Sequence, residues 1–182
     1  MKRDFIEEIE IPDKTGVRLN KGIVTVNGQK GEIKKNLLNK RILIEIRDNK
    51  VIISSKKATQ REKKILYTIK AHIENMIYGV NNGYTYVLKV CSSHFPMSVT
   101  IDKGKFAVKN FLGESQPRIF KIVEGVEVKL EGERVSVSSP DKELAGQTAA
   151  SIEQLCRIAN RDRRVFQDGI YITSKSRRVK NE

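Results

Sequence analysis

The sequence says the same thing twice, and that repetition limits the folds open to it. In the first half, Gly22-Ile23-Val24-Thr25-Val26-Asn27-Gly28 alternates between glycines like a short strand. Ile42-Leu43-Ile44-Glu45-Ile46-Arg47, a turn at Asp48-Asn49-Lys50 and Val51-Ile52-Ile53-Ser54 then predict a hairpin. Thr59-Gln60-Arg61-Glu62 has the spacing of a capping box. Beyond it Ile65, Leu66, Ile69, Ile73, Met76 and Ile77 recur at helical spacing, and Gly79 with Asn81-Asn82-Gly83 predicts the helix end. The second half follows the same order. Val126-Glu127-Val128-Lys129-Leu130 alternates, Glu131-Gly132-Glu133 turns, and Val135-Ser136-Val137-Ser138 returns. Ser139-Pro140 predicts a helix start with proline at the first helical position, and Leu144, Thr148, Ile152 and Leu155 mark the helix. Val51-Ile52-Ile53-Ser54-Ser55 aligns with Val135-Ser136-Val137-Ser138-Ser139. Lys70-Ala71-His72-Ile73-Glu74-Asn75-Met76 aligns with Ala149-Ala150-Ser151-Ile152-Glu153-Gln154-Leu155, given a short insertion before the first helix. Two ordinary hairpin–helix units alike by chance would give a similar pattern. Duplication is the more economical reading. The expected fold is α+β: two tandem units, 1–82 and 83–182, each an antiparallel sheet packed with a helix.

The chain has 182 residues, enough for two small units, and its 38% hydrophobic content supports a core. Thirty-five Lys+Arg against 22 Asp+Glu leave +13, with a pI near 9.8. Self-repulsion from that excess opposes folding, so a polyanionic partner is expected, with nucleic acid first because each neutralised phosphate releases counterions. No apolar run approaches the ~20 residues of a spanning helix, and acidic residues follow Met1-Lys2-Arg3 where a signal peptide would be apolar. No membrane partner is expected. Cys91 and Cys156 form no disulfide framework, which suits a reducing compartment.

The charge is unevenly placed. Residues 83–156 hold nine basic and nine acidic groups, whereas 157–182 hold eight basic and three acidic. A solvated helix face would intersperse the signs. Arg157, Arg161, Arg163 and Arg164, with Lys175, Arg177, Arg178 and Lys180, instead predict an electrostatic arm, rich in the side chain that grips phosphate with a planar fork. A second cluster, Lys30, Lys34, Lys35, Lys40 and Arg41, falls in the expected strand-connecting region of the first unit. A third runs through Lys103-Gly104-Lys105-Phe106 and Lys109-Asn110-Phe111-Leu112-Gly113, read as a loop approaching a sugar–phosphate backbone with a ring free to stack on a base. Phe106 is expected in the core; Phe111 could serve either as core or as the stacking ring.

Catalytic patterns are sparse. There are two histidines, His72, expected on the polar side of its helix, and His94 in a loop. Cys91 and His94 lack the second pair a tetrahedral metal site needs, and no phosphate-binding glycine loop occurs. No cofactor is implied and no enzyme is expected. The rivals are an RNA-modifying or RNA-cleaving enzyme, which needs a cleft with a paired acid and base, and a free-standing nucleic-acid-binding regulator.

Gln154, Ile158, Arg161, Arg164, Phe166, Asp168-Gly169-Ile170-Tyr171-Ile172 and Lys175 form a long pattern. Ser93-His94-Phe95-Pro96, Lys109-Asn110-Phe111-Leu112-Gly113-Glu114, and Asn75-Met76-Ile77 followed by Gly79-Val80 accompany it. With these segments the chain resembles the universal large-subunit ribosomal protein family numbered six in bacteria and nine in eukaryotes, closest to its archaeal and eukaryotic branch. The resemblance spans essentially the whole chain and is strongest from Gln154 to Lys175. It implies a structural constituent of the large ribosomal subunit in the cytoplasm. The implied partners are large-subunit rRNA and neighbouring ribosomal proteins. It further implies that the second unit is the main rRNA-binding region, near the sarcin–ricin region and the stalk base, in proximity to translational GTPases. Arg161, Arg164 and Lys175 carry over as RNA-contacting positions, and Asp168-Gly169 as a turn shaping the segment.

Overall fold

The computed structural model describes residues 3–47 and 49–176. Asp48 of the expected turn, and Arg177, Arg178 and Lys180 of the arm, lie outside the described residues. Contacts divide the chain into one unit ending at Gly83 and another starting at Tyr84.

In the first unit the strands are β1 (Arg3–Glu10), β2 (Gly16–Asn20), β3 (Ile23–Gly28), β4 (Gly31–Asn36), β5 (Leu43–Arg47) and β6 (Lys50–Ala58), followed by α1 (Gln60–Asn82). They make two antiparallel three-stranded sheets, ordered β1-β6-β5 and β2-β3-β4. Alternation places Val51, Ile53, Val24 and Val26 inward, each at most 1% exposed. Leu66, Ile69, Ile73, Met76 and Ile77 of α1 bury their shared face in the same core, with Ile65 at its margin. The capping box forms: Glu62 Oε2 accepts the Thr59 N–H at 2.9 Å and also the Thr59 hydroxyl. Two expectations need correction. Gly79 does not stop α1, which continues to Asn82; it is buried within the helix, and Gly83, at φ 76°, supplies the left-handed exit. Lys34 and Lys35 do not lie in a connection but on β4, which pairs along its length with β3.

The second unit repeats that order as β7 (Tyr84–Cys91), β8 (Ser98–Asp102), β9 (Lys105–Lys109), β10 (Arg118–Lys121), β11 (Glu127–Glu131), β12 (Arg134–Ser139) and α2 (Lys142–Leu155), then adds β13 (Gly169–Ser174). The sheets are β11-β12-β7-β13 and β10-β9-β8. β7 stands to β12 as β1 stands to β6, so the chain is duplicated in three dimensions as well as in sequence. The aligned serines make this concrete. Ser55 Oγ donates to the carbonyl of Arg41 at 3.0 Å, and Ser139 Oγ donates to that of Gly125 at 2.8 Å, each fourteen residues upstream and each buried. The start of α2 is corrected: Pro140 precedes the cap. Asp141 is the N-cap, its carboxylate accepting the Glu143 N–H at 2.8 Å, while the Ser139 hydroxyl is held by the Gly125 carbonyl and accepts the Asp141 N–H at 3.2 Å just before the helix. No described helix is long and apolar enough to cross a membrane.

Candidate nucleic-acid interface

The C-terminal segment is a loop stretched between two apolar anchors. Ile158, just past α2, and Ile170, on β13, are buried, the latter completely. Between them every residue from 159 to 167 except Phe166 is exposed. A backbone tethered at both ends by core contacts presents its side chains outward without collapsing, and here those side chains include Arg161, Arg163 and Arg164. Arg157 at the start of the loop and Lys175 after β13 are exposed as well.

Two segments distant in sequence, with the side chain of Arg118, hold this loop in place. The first is 92–97, between β7 and β8. Asp168, 2% exposed, accepts the Ser93 hydroxyl at 2.8 Å, the His94 N–H at 3.3 Å and the Ser93 N–H. Burial works to raise this carboxyl, but the bonds from Ser93 and His94 outweigh it and hold it below the ordinary aspartate value. The His94 ring lies 3.5 Å from the second Asp168 oxygen and 4.9 Å from the Phe166 ring, and Arg161 sits on that ring, its guanidinium carbon 4.9 Å from the centroid. Arg161 is thereby pre-oriented as a flat donor at low entropic cost.

The second segment is 110–114, a turn containing a short 3-10 stretch, Phe111–Gly113, with three left-handed positions within four residues: Asn110 at φ 57°, Leu112 at 48° and Gly113 at 81°. Left-handed leucine is uncommon and is tolerated here because Leu112 is buried. Asn110 Nδ2 donates to the Pro96 carbonyl at 3.0 Å, and the space beside Gly113 is bounded by the Phe95 ring, so this turn packs on the first segment.

Arg118, which no sequence pattern singles out, joins the turn to the loop. It donates twice to Glu114, at 2.8 and 2.6 Å, and also to the carbonyls of Leu155 at 2.8 Å and Arg157 at 3.1 Å, at the end of α2. Its guanidinium covers the Phe111 ring at 4.3 Å. The bond from Arg118 holds the Glu114 carboxyl below its usual range, with Arg161 contributing at longer distance. Phe111 is therefore not the stacking ring the sequence allowed. It is 1% exposed, covered by Arg118, and belongs to the core alongside the fully buried Phe106.

Lys103, Lys105 and Lys109 are exposed, but not on a loop. Lys103-Gly104 is the tight turn of the β8–β9 hairpin, with φ of 45° and 73°, and Lys105 and Lys109 are the two ends of β9. Arg164 is bound by its neighbour Asp162 at 2.9 Å, a highly exposed pair that a stronger anion can displace. Arg157, Arg163, Lys103, Lys105, Lys109 and Lys175 make no ion pair among the described residues. The second cluster behaves differently. Lys34 pairs with Glu32 at 2.9 Å, Lys35 meets His72 at 3.1 Å, Lys30 bonds the Asn82 carbonyl and Arg41 bonds Glu62. Much of that positive charge is therefore used inside the unit. No group of His, Cys, Asp and Glu among the described residues could hold a metal ion.

Comparison with known proteins gives consistent matches. The family model described as Ribosomal protein L6 matches twice, over residues 11–83 and 95–169, once in each unit. The chain is 43% identical to the large ribosomal subunit protein uL6 of Methanococcus vannielii over 173 residues, 95% of either chain. It is 41% identical to that of Methanobrevibacter smithii, over 93% of this chain and 95% of the relative, and 41% identical to that of Methanocella arvoryzae, over 97% and 100%.

Proposed function

The chain belongs to the ribosomal protein L6 family, in its archaeal and eukaryotic branch, and from that membership we propose how it is used: the second unit grips large-subunit rRNA through the tethered loop 159–167. As a family member the protein is a structural, non-enzymatic constituent of the large subunit of the cytoplasmic ribosome, with rRNA and other ribosomal proteins around it.

The observation that carries the reading is the convergence of two separate segments and Arg118 on one cationic loop. RNA helices are recognised by shape and by phosphate and 2′-hydroxyl contacts rather than by base sequence. A reader of shape needs fixed charges at fixed spacing. Asp168, Arg118 and the Phe166 stack supply the fixity, and Arg157, Arg161, Arg163 and Arg164 supply the charge. Lys103 and Lys105 at the β8–β9 tip, Lys109 at the far end of β9, and Lys175 add phosphate contacts from outside the loop. Arg177 and Arg178 join this set on charge alone. The target we propose is rRNA near the sarcin–ricin region and stalk base, where the protein would brace RNA against which translational GTPases push.

Sedimentation of a cell extract on a density gradient tests the first part. The chain is expected to co-migrate with large subunits and whole ribosomes in moderate salt and to remain there in high salt, because shape contacts outlast screening. A small free species in moderate salt would overturn it. Location near the stalk base is tested by depletion: unchanged factor-dependent GTP hydrolysis on otherwise complete subunits would exclude it.

A further inference from the structure

The first unit carries an open groove of about 1030 Å³ with an apolar floor and a cationic rim. Leu38 and Leu43 line it and are 71% and 56% exposed. Lys21, Lys40, Lys56 and Lys57 surround them, and none of the four makes an ion pair among the described residues. Glu62 is the one acidic residue in the lining, and it is already held by Thr59 and Arg41.

The loop that presents Leu38 is built rather than slack. Leu37 N–H bonds the Gly22 carbonyl at 2.9 Å, Leu38 N–H bonds Asn36 Oδ1 at 3.1 Å and Arg41 N–H bonds Asn39 Oδ1 at 3.0 Å. Two asparagines thus fix a turn whose leucine points away from the core. Leu38 also lies directly over Gly22, where an added Cβ would meet it at 2.7 Å. Ordering a leucine without burying it gains nothing in the free chain.

We propose that this groove is a docking site for an acidic segment of another protein, one carrying leucine- or phenylalanine-like side chains between aspartates and glutamates. Charge complementarity selects the occupant. The four lysines exclude the chain's own basic C-terminal residues and disfavour a second copy of a chain with net charge +13. RNA would satisfy the lysines but leave both leucines in water, whereas an acidic, apolar segment satisfies both. The inference does not depend on the RNA contact proposed for the second unit.

The test uses the full chain and fluorescently labelled synthetic peptides that alternate Leu or Phe with Asp and Glu, with matched peptides bearing Ser in place of Leu and Phe. A short RNA duplex serves as the competing class. Anisotropy is expected to show binding of the acidic, apolar peptides above the serine controls. Leu38→Ser with Leu43→Ser should weaken that binding at least about tenfold and leave RNA affinity unchanged. Lys40→Gln with Lys56→Gln should weaken it most at low salt. All four positions are exposed, so the variants should fold, which circular dichroism checks. The proposal is overturned if the acidic, apolar peptides bind no better than the serine controls, if the double-serine variant binds them as tightly as the parent, or if that variant loses RNA affinity instead.

Discussion

Asp168 is one carboxylate that fixes the position of two loops. It is charged, buried and bonded to groups more than seventy residues away in the chain. All three bonds end on one carboxylate oxygen, so Asp168→Asn can keep an acceptor there but removes the charge that strengthens them; a loss of about 1–2 kcal/mol is expected, read as a lower urea midpoint at pH 7. The pH dependence has a definite sign. The folded carboxyl titrates below its unfolded value, so its stabilisation is complete above about pH 4 and is lost as pH falls through the folded value. The parent should therefore lose more stability than Asp168→Asn as pH falls below about 4. Cysteine reactivity gives a second check at this scale. Burial pushes the Cys156 thiol up to about 11, while Cys91 is only half-buried. Iodoacetamide at pH 8 should label Cys91 in the native chain and reach Cys156 only after denaturation, as peptide mass spectrometry would show. Equal labelling would mean that the end of α2 is open.

At the scale of elements, the helix lies on the sheet at closest approach where glycine leaves room. A Cβ on Gly28 of β3 would lie 2.6 Å from a Val80 methyl and 2.9 Å from the Val80 carbonyl oxygen. That carbonyl also accepts the Lys30 N–H at 2.8 Å, so it is not free to move aside. Gly28→Ala should destabilise the first unit by roughly 1–3 kcal/mol, the usual cost of overpacking. Amide hydrogen exchange would then show protection lost across β2, β3, β4 and α1. Uniform loss across both units, or none, would contradict the close approach. β13 is the main departure from the repeat. It joins the free side of β7 and is tied to α2 by the Ile172 N–H to Glu153, at 3.0 Å. This addition anchors the far end of the arginine loop, a feature that α1 and Gly83 leave without a counterpart.

Across the whole molecule, affinity for RNA should be electrostatic in a measurable way. Replacing Arg161, Arg163 and Arg164 together by Gln should weaken binding to a large-subunit rRNA fragment. It should also reduce the slope of log affinity against log salt by about 2 to 3, one phosphate contact per arginine. An unchanged slope would place the contacts elsewhere. The linear chain already specifies the duplication, both hairpins, the capping box and the cationic C-terminal segment. Those features are local, since periodicity, turn chemistry and charge are written in neighbouring residues. It did not determine the outer strands. β1 was hidden because its glutamates mask the alternation of Phe5 and Ile9, and β4 because its lysines read as a connection. The shape of the site was decided only in three dimensions. Phe111 is core rather than stacking ring because Arg118 lies over it, and Asp168 ties two loops together, beyond shaping its own turn, because Ser93 and His94 lie against it. Whether a side chain is offered or enclosed depends on what packs over it. Here Arg118 comes from the strand that follows the Phe111 turn, and Ser93 and His94 come from a loop more than seventy residues from Asp168, brought together by the folding of the second unit.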